Sequence, residues 1–113
     1  MSILAELNAL LKPILPAETG VFSGVPPDEY VVITPMTDSF ELFGDDKPLS
    51  DVSEVRLSLF SKGNYTARAR EITAALLTAD FTVTDRRYIG RENDTGYHGY
   101  AIDTAKNYEI QEG

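Results

Sequence analysis

The sequence predicts an α+β fold in which a single antiparallel β-sheet packs against two α-helices. Two segments carry apolar residues at three- and four-residue spacing: Ile3, Leu4, Leu7, Leu10, Leu11 and Ile14, and then Tyr65, Ala69, Ile72, Leu76 and Ala79. Each set lines one stripe of a helix. Val55, Leu57 and Leu59 alternate with Arg56 and Ser58, the period of a strand that buries one face. The strand-like runs are grouped and flanked by the two helices, which indicates an antiparallel sheet covered by helices. At 113 residues the chain suits one domain, 1–113, with an N-terminal helix at about 2–12 and the sheet and second helix at about 19–110.

Ser2 is placed to cap the first helix. Pro13, which lacks an amide hydrogen, should end it near Leu11 or Lys12. Thr19 to Phe22 reads as a short edge strand, closed by Ser23, Gly24 and the Pro26–Pro27 pair, whose missing donors break a ladder. Tyr30 to Thr34 is a β-branched and aromatic strand, and Pro35 marks a bulge or an edge. Thr37 to Asp51 reads as a long hairpin or excursion with its tip around Gly44 to Pro48. Phe60 falls outside the apolar alternation and is expected at the sheet end. Ser61 to Asn64 is a turn, with Asn64 as N-cap of the second helix. Phe81, Val83, Tyr88 and Ile89 suggest a strand, Gly90 to Gly96 a turn, and Tyr97 to about Ile110 the last strand.

Composition excludes several function classes. An apolar share of 42% and a charged share of 25% are those of a globular chain. No run approaches the roughly 20 apolar residues of a membrane span, and the amino terminus lacks the basic, apolar and small-residue order of a signal peptide. The protein is expected to remain where it is made and to make no membrane contact. With no cysteine, disulfides, thiolate metal sites and a catalytic thiol are excluded. The net charge of −8 argues against direct nucleic-acid recognition, which needs a concentrated basic face.

No constellation points to catalysis. His98 is the single histidine, and it reads as a surface or ring-stacked residue beside Tyr97 and Tyr100 rather than a catalytic one. Asp45, Asp46 and Asp51, like Glu92 and Asp94, lack the spacing of a calcium loop and read as solvated acidic loops. The pairs Gly20–Gly24 and Gly96–Gly99 lack the lysine and following helix of a phosphate loop. No catalytic, cofactor-binding or metal-binding residue is assigned, and no cofactor is expected.

Arg86, Arg87 and Arg91, with Tyr88 between them, form the local basic concentration. On a strand, Arg86 and Tyr88 face one way and Arg87 the other. This segment suits an acidic loop of a neighbouring copy better than phosphates.

Several ordered phrases resemble small proteins encoded among the head-to-tail genes of phages and prophages, described as tail completion, tail terminator or tail-to-head joining proteins. They are Val21-Phe22-Ser23-Gly24-Val25-Pro26-Pro27-Asp28-Glu29-Tyr30-Val31-Val32, Phe43-Gly44-Asp45-Asp46-Lys47-Pro48-Leu49, Leu59-Phe60-Ser61-Lys62-Gly63-Asn64-Tyr65, Phe81-Thr82-Val83 and Asp94-Thr95-Gly96-Tyr97-His98. The resemblance implies a virion structural protein of the tail or neck, made in the host cytoplasm. It implies a homo-oligomeric ring, commonly a hexamer, that caps the tail tube and joins tail to head. Its partners would be other copies of itself, the tail tube protein and a head-completion or connector protein. A neighbouring neck protein and a small non-enzymatic binding module are the alternatives.

A ring needs one patch on each subunit to meet a different patch on the next. Two segments are the candidates. One is the run of Phe40, Glu41, Leu42, Phe43, Asp45, Asp46 and Lys47, apolar residues rimmed by charge, which could instead fold back over the sheet. The other is the strand end carrying Arg86, Arg87, Tyr88 and Arg91.

Overall fold

The computed structural model describes residues 2–20, 23–43 and 47–109, with the backbone alone for 37–51 and 108–109. Helix α1 spans Ile3–Leu11 and buries Ile3, Leu7 and Leu11 on one face. The Ser2 hydroxyl caps it by accepting from the Ala5 amide at 3.2 Å. Strands β1 (Ala17–Thr19), β2 (Glu29–Phe43) and β3 (Lys47–Ser61) follow, then helix α2 (Tyr65–Thr78) and strands β4 (Thr82–Arg91) and β5 (His98–Glu109). The five strands form one sheet in the order β1-β2-β3-β5-β4.

The sheet is mixed, which corrects the expectation of a wholly antiparallel one. β1 runs parallel to β2, with Ala17 opposite Val31 and Thr19 opposite Ile33. It also begins earlier than expected, and Val21 and Phe22 lie outside the described residues. The chain, held off the ladder by two adjacent prolines, travels back to start β2 alongside β1 in the same direction.

β2 and β3 pair from Glu29–Ser61 out to Phe43–Lys47, with irregularities after Pro35 and Glu41. The stretch from Thr37 to Asp51 is therefore the long hairpin of the two alternatives the sequence left open, its arms the continuation of β2 and β3. Beyond the end of β4, the ladder runs on as three strands, with Ser50 of β3 opposite Glu109 of β5. Fifteen-residue strands reach about 50 Å, and the molecule measures 54 × 25 × 23 Å. The two helices, about 14 and 21 Å long by their rise per residue, cannot cover that length.

The helices lie on one face of the sheet. Leu7, Leu11, Leu15, Ala69, Ile72, Leu76 and Phe81 pack with Val31, Ile33, Val55, Leu57, Leu59 and Ile102 in one buried cluster. Polar ties surround it. Lys106 Nζ donates to Glu6 at 2.6 Å and to the Ala79 carbonyl at 2.9 Å, placing a cation at the C-terminus of α2, where the helix dipole favours it. Glu29 on β2 accepts from Arg68 of α2 at 2.9 Å and from the buried Ser61 at 2.8 Å. Asn64 caps α2 as expected, accepting from the Ala67 amide at 3.1 Å. Asn64→Ala should cost about 1 kcal/mol in urea denaturation, and an unchanged midpoint would show that the cap contributes nothing.

The β4–β5 turn is shorter than expected. Its bonds run from the Glu92 amide to the Tyr97 carbonyl at 2.9 Å and from the Gly96 amide to the Glu92 carbonyl at 2.8 Å. Gly90 belongs to β4, at a register irregularity between Tyr88 and Gly90. Its φ of 136° is available to glycine and strained for any residue with a Cβ, so a bulge rather than a turn explains it.

Candidate assembly interface

β4 is an outer strand of the sheet, and nearly all of its residues are exposed. Its register sets Arg86 opposite Ile102 and Tyr88 opposite Tyr100, on the helix-covered face, and Arg87 opposite Ala101, on the open face. The basic segment is thus split between two faces, as the sequence predicts. Tyr88 stacks on Tyr65 of α2 with centroids 5.0 Å apart, and its hydroxyl shares a 2.8 Å hydrogen bond with His98 Nδ1. The His98 ring also lies 5.0 Å from that of Tyr65. These contacts bear out the ring-stacked reading of the histidine.

The open face carries an ionic row. Arg56 Nε and Nη2 donate to the two carboxylate oxygens of Asp103 at 2.8 and 3.0 Å. On the adjacent strand, Arg87 donates to Asp85 at 2.7 Å. The guanidinium of Arg56 holds the Asp103 carboxyl below its ordinary value, against the opposing effect of burial. Phe60 lies on this same face, stacked on Tyr30 at 4.9 Å and edge-on to Tyr97 at 6.4 Å, so it covers the sheet end as expected. Ile89 is 62% exposed and sits over Gly99, where an added Cβ would lie 3.4 Å from the Ile89 Cβ.

The second candidate segment sits elsewhere. Phe40, Glu41, Leu42 and Phe43 end β2 and Lys47 begins β3, with Phe40 opposite Asp51 and Phe43 opposite Lys47. Asp45 and Asp46 lie outside the described residues. β1 covers β2 at Val31–Ile33, and beyond Ile33 no strand among the described residues pairs with the outer side of β2. The two candidate segments therefore belong to opposite edges of one sheet, β4 on one side and the distal part of β2 on the other.

Met36 and the Arg56–Asp103 pair are not among the residues to which sequence patterning points. Met36, 47% exposed, falls at the irregularity after Pro35. An apolar residue directly after a strand proline was its one available signal. Arg56 and Asp103 are far apart in the chain, and only the β3–β5 register sets them opposite each other. Among the described residues, no three His, Cys, Asp or Glu side chains gather as a metal site.

No family model and no curated protein matches this chain. Among solved structures, a chain from a virion of a native gene transfer agent particle aligns with 94% of this chain and 86% of its own length, at 18% identity and a TM-score of 0.49.

Proposed function

We propose that this protein is a non-enzymatic virion structural protein that self-associates into a ring, caps a phage tail tube and joins tail to head. The tail tube protein and a head-completion or connector protein would be its partners. One observation supports the reading beyond the sequence resemblance: two segments of unlike sequence, one basic and one rich in apolar and acidic residues, belong to strands on opposite edges of the same sheet. A closed ring of identical subunits needs that disposition, because each copy must offer different patches to its two neighbours. A monomeric binding module would need only one surface.

The test is assembly of tails in a host lacking the gene, supplied with wild-type or variant protein. Phe43→Ser should leave the melting temperature of the isolated protein nearly unchanged and abolish rings and capped, joinable tails in electron micrographs. A several-kcal/mol loss of stability would instead mark Phe43 as a core residue. Complete tails built with the variant, or without the protein at all, would sink the proposal.

A further inference from the structure

We propose that neighbouring copies join edge to edge, the outer side of β4 in one pairing antiparallel with the free distal edge of β2, about residues 34–43, in the next. This rests on the self-association reading and specifies its seam. Three observations support it.

The first is backbone availability. The Glu92 amide donates to the Tyr97 carbonyl, so Tyr97 and every second residue after it in β5 turn their backbone groups toward β4. By the register, Thr82, Asp85 and Arg87 bond inward to β5, while Val83, Arg86 and Tyr88 present their amides and carbonyls outward. On the other edge, the Val31 amide and Ile33 carbonyl are directed outward to the β1 side. The same alternation turns Pro35, which has no amide, to that side. Beyond it, the register sets Asp38 opposite Ser53 and Phe40 opposite Asp51, with backbone groups facing outward again. Strand edges of this length with no partner among the described residues template pairing unless another strand or a local defence prevents it.

The second is charge. β4 from Thr82 to Arg91 holds Arg86, Arg87 and Arg91 against Asp85, whereas β2 from Thr34 to Phe43 holds Asp38 and Glu41 and no base. Two copies of β4 repel each other, as do two copies of distal β2. The unlike pairing is the attractive one, which favours head-to-tail association.

The third is direction. β2, β3, β5 and β4 are successive antiparallel neighbours, so four strands alternate across the subunit. Copies related by rotation about an axis to which the strands are tilted set a β4 against the next β2 in antiparallel sense, so the alternation of direction continues through the seam. β4 lies level with the covered half of β2 rather than its free half. Successive copies are therefore staggered along the strands, as a closing sheet requires.

Two charge-reversed proteins test this: Arg86→Glu/Arg87→Glu and Asp38→Lys/Glu41→Lys, followed by sedimentation at low and high salt. Wild type should form a species larger than a dimer. Each variant alone should associate about 100-fold more weakly or worse. An equimolar mixture should recover the wild-type size, because each altered edge then meets its complement. A mixture that stops at dimers would indicate symmetric β4–β4 pairing and overturn the proposal. If both variants assemble and cap tails like wild type, the seam is elsewhere and the ring reading survives. If wild type stays monomeric at every concentration and on tails, both readings fail. Hydrogen exchange on the unmodified protein covers the case of misfolded variants: the amides of Val83, Arg86 and Tyr88 should gain protection on assembly, while those of Asp85 and Arg87 are protected throughout. Unchanged exchange at the outward amides of the assembled protein would overturn the seam.

Discussion

Leu76→Ala should destabilise the folded chain by about 2–5 kcal/mol, the range for deleting a buried leucine from a packed core. Leu76 is fully buried on α2, in the cluster formed with Ile72, Val31, Ile33, Leu57, Leu59 and Ile102. The truncation removes apolar contact and leaves a cavity between a helix and a sheet, neither of which can move freely to fill it. Leu77→Ala, one residue on, is the control. That side chain is 57% exposed, and its loss should change stability by no more than about 0.5 kcal/mol. Urea denaturation of both variants reads the difference. Equal effects would mean that α2 does not present the Leu76 face to the sheet.

Asp103→Ala should cost about 1.5–3 kcal/mol at neutral pH, the value of hydrogen bonds to a charged group. Asp103 is 9% exposed, and removing it strands the Arg56 guanidinium that it chelates. Because the Arg56 side chain is 33% exposed, water can recover part of the loss, which keeps the cost below that of breaking a fully buried pair. The same pair makes stability pH-dependent. The Asp103 carboxyl is held below its ordinary value, chiefly by the Arg56 hydrogen bonds, so the folded state binds this proton less readily than the unfolded chain. Its contribution is present above the ordinary aspartate value, near 4, and is lost as pH falls through the lower folded value. Asp103→Asn should therefore lie below wild type at pH 7 and approach it in strong acid. A gap between the two that does not change with pH would refute the assignment.

The elements that could be read from the sequence are those whose information is local. The stripe from Ile3 to Leu11, the serine and asparagine caps and the Val55–Leu59 alternation each rest on residues within a turn or two of each other. All of them reappear in the fold. The split of Arg86 from Arg87 was legible for the same reason, since a strand alternates whatever lies beside it. The limits of the β4–β5 turn were not, because Gly90 has turn chemistry and is used in a bulge.

What the sequence by itself determined is thus the two amphipathic helices, their caps, the class of the fold and the absence of cysteine chemistry. The tertiary structure alone decided the pairings. It laid β1 parallel to β2, decided for the hairpin over the excursion between Thr37 and Asp51, and set Asp103 against Arg56. It also placed the basic strand and the acidic strand on opposite edges of the sheet. Strand order and register depend on contacts between residues distant in the chain, which local propensity does not encode.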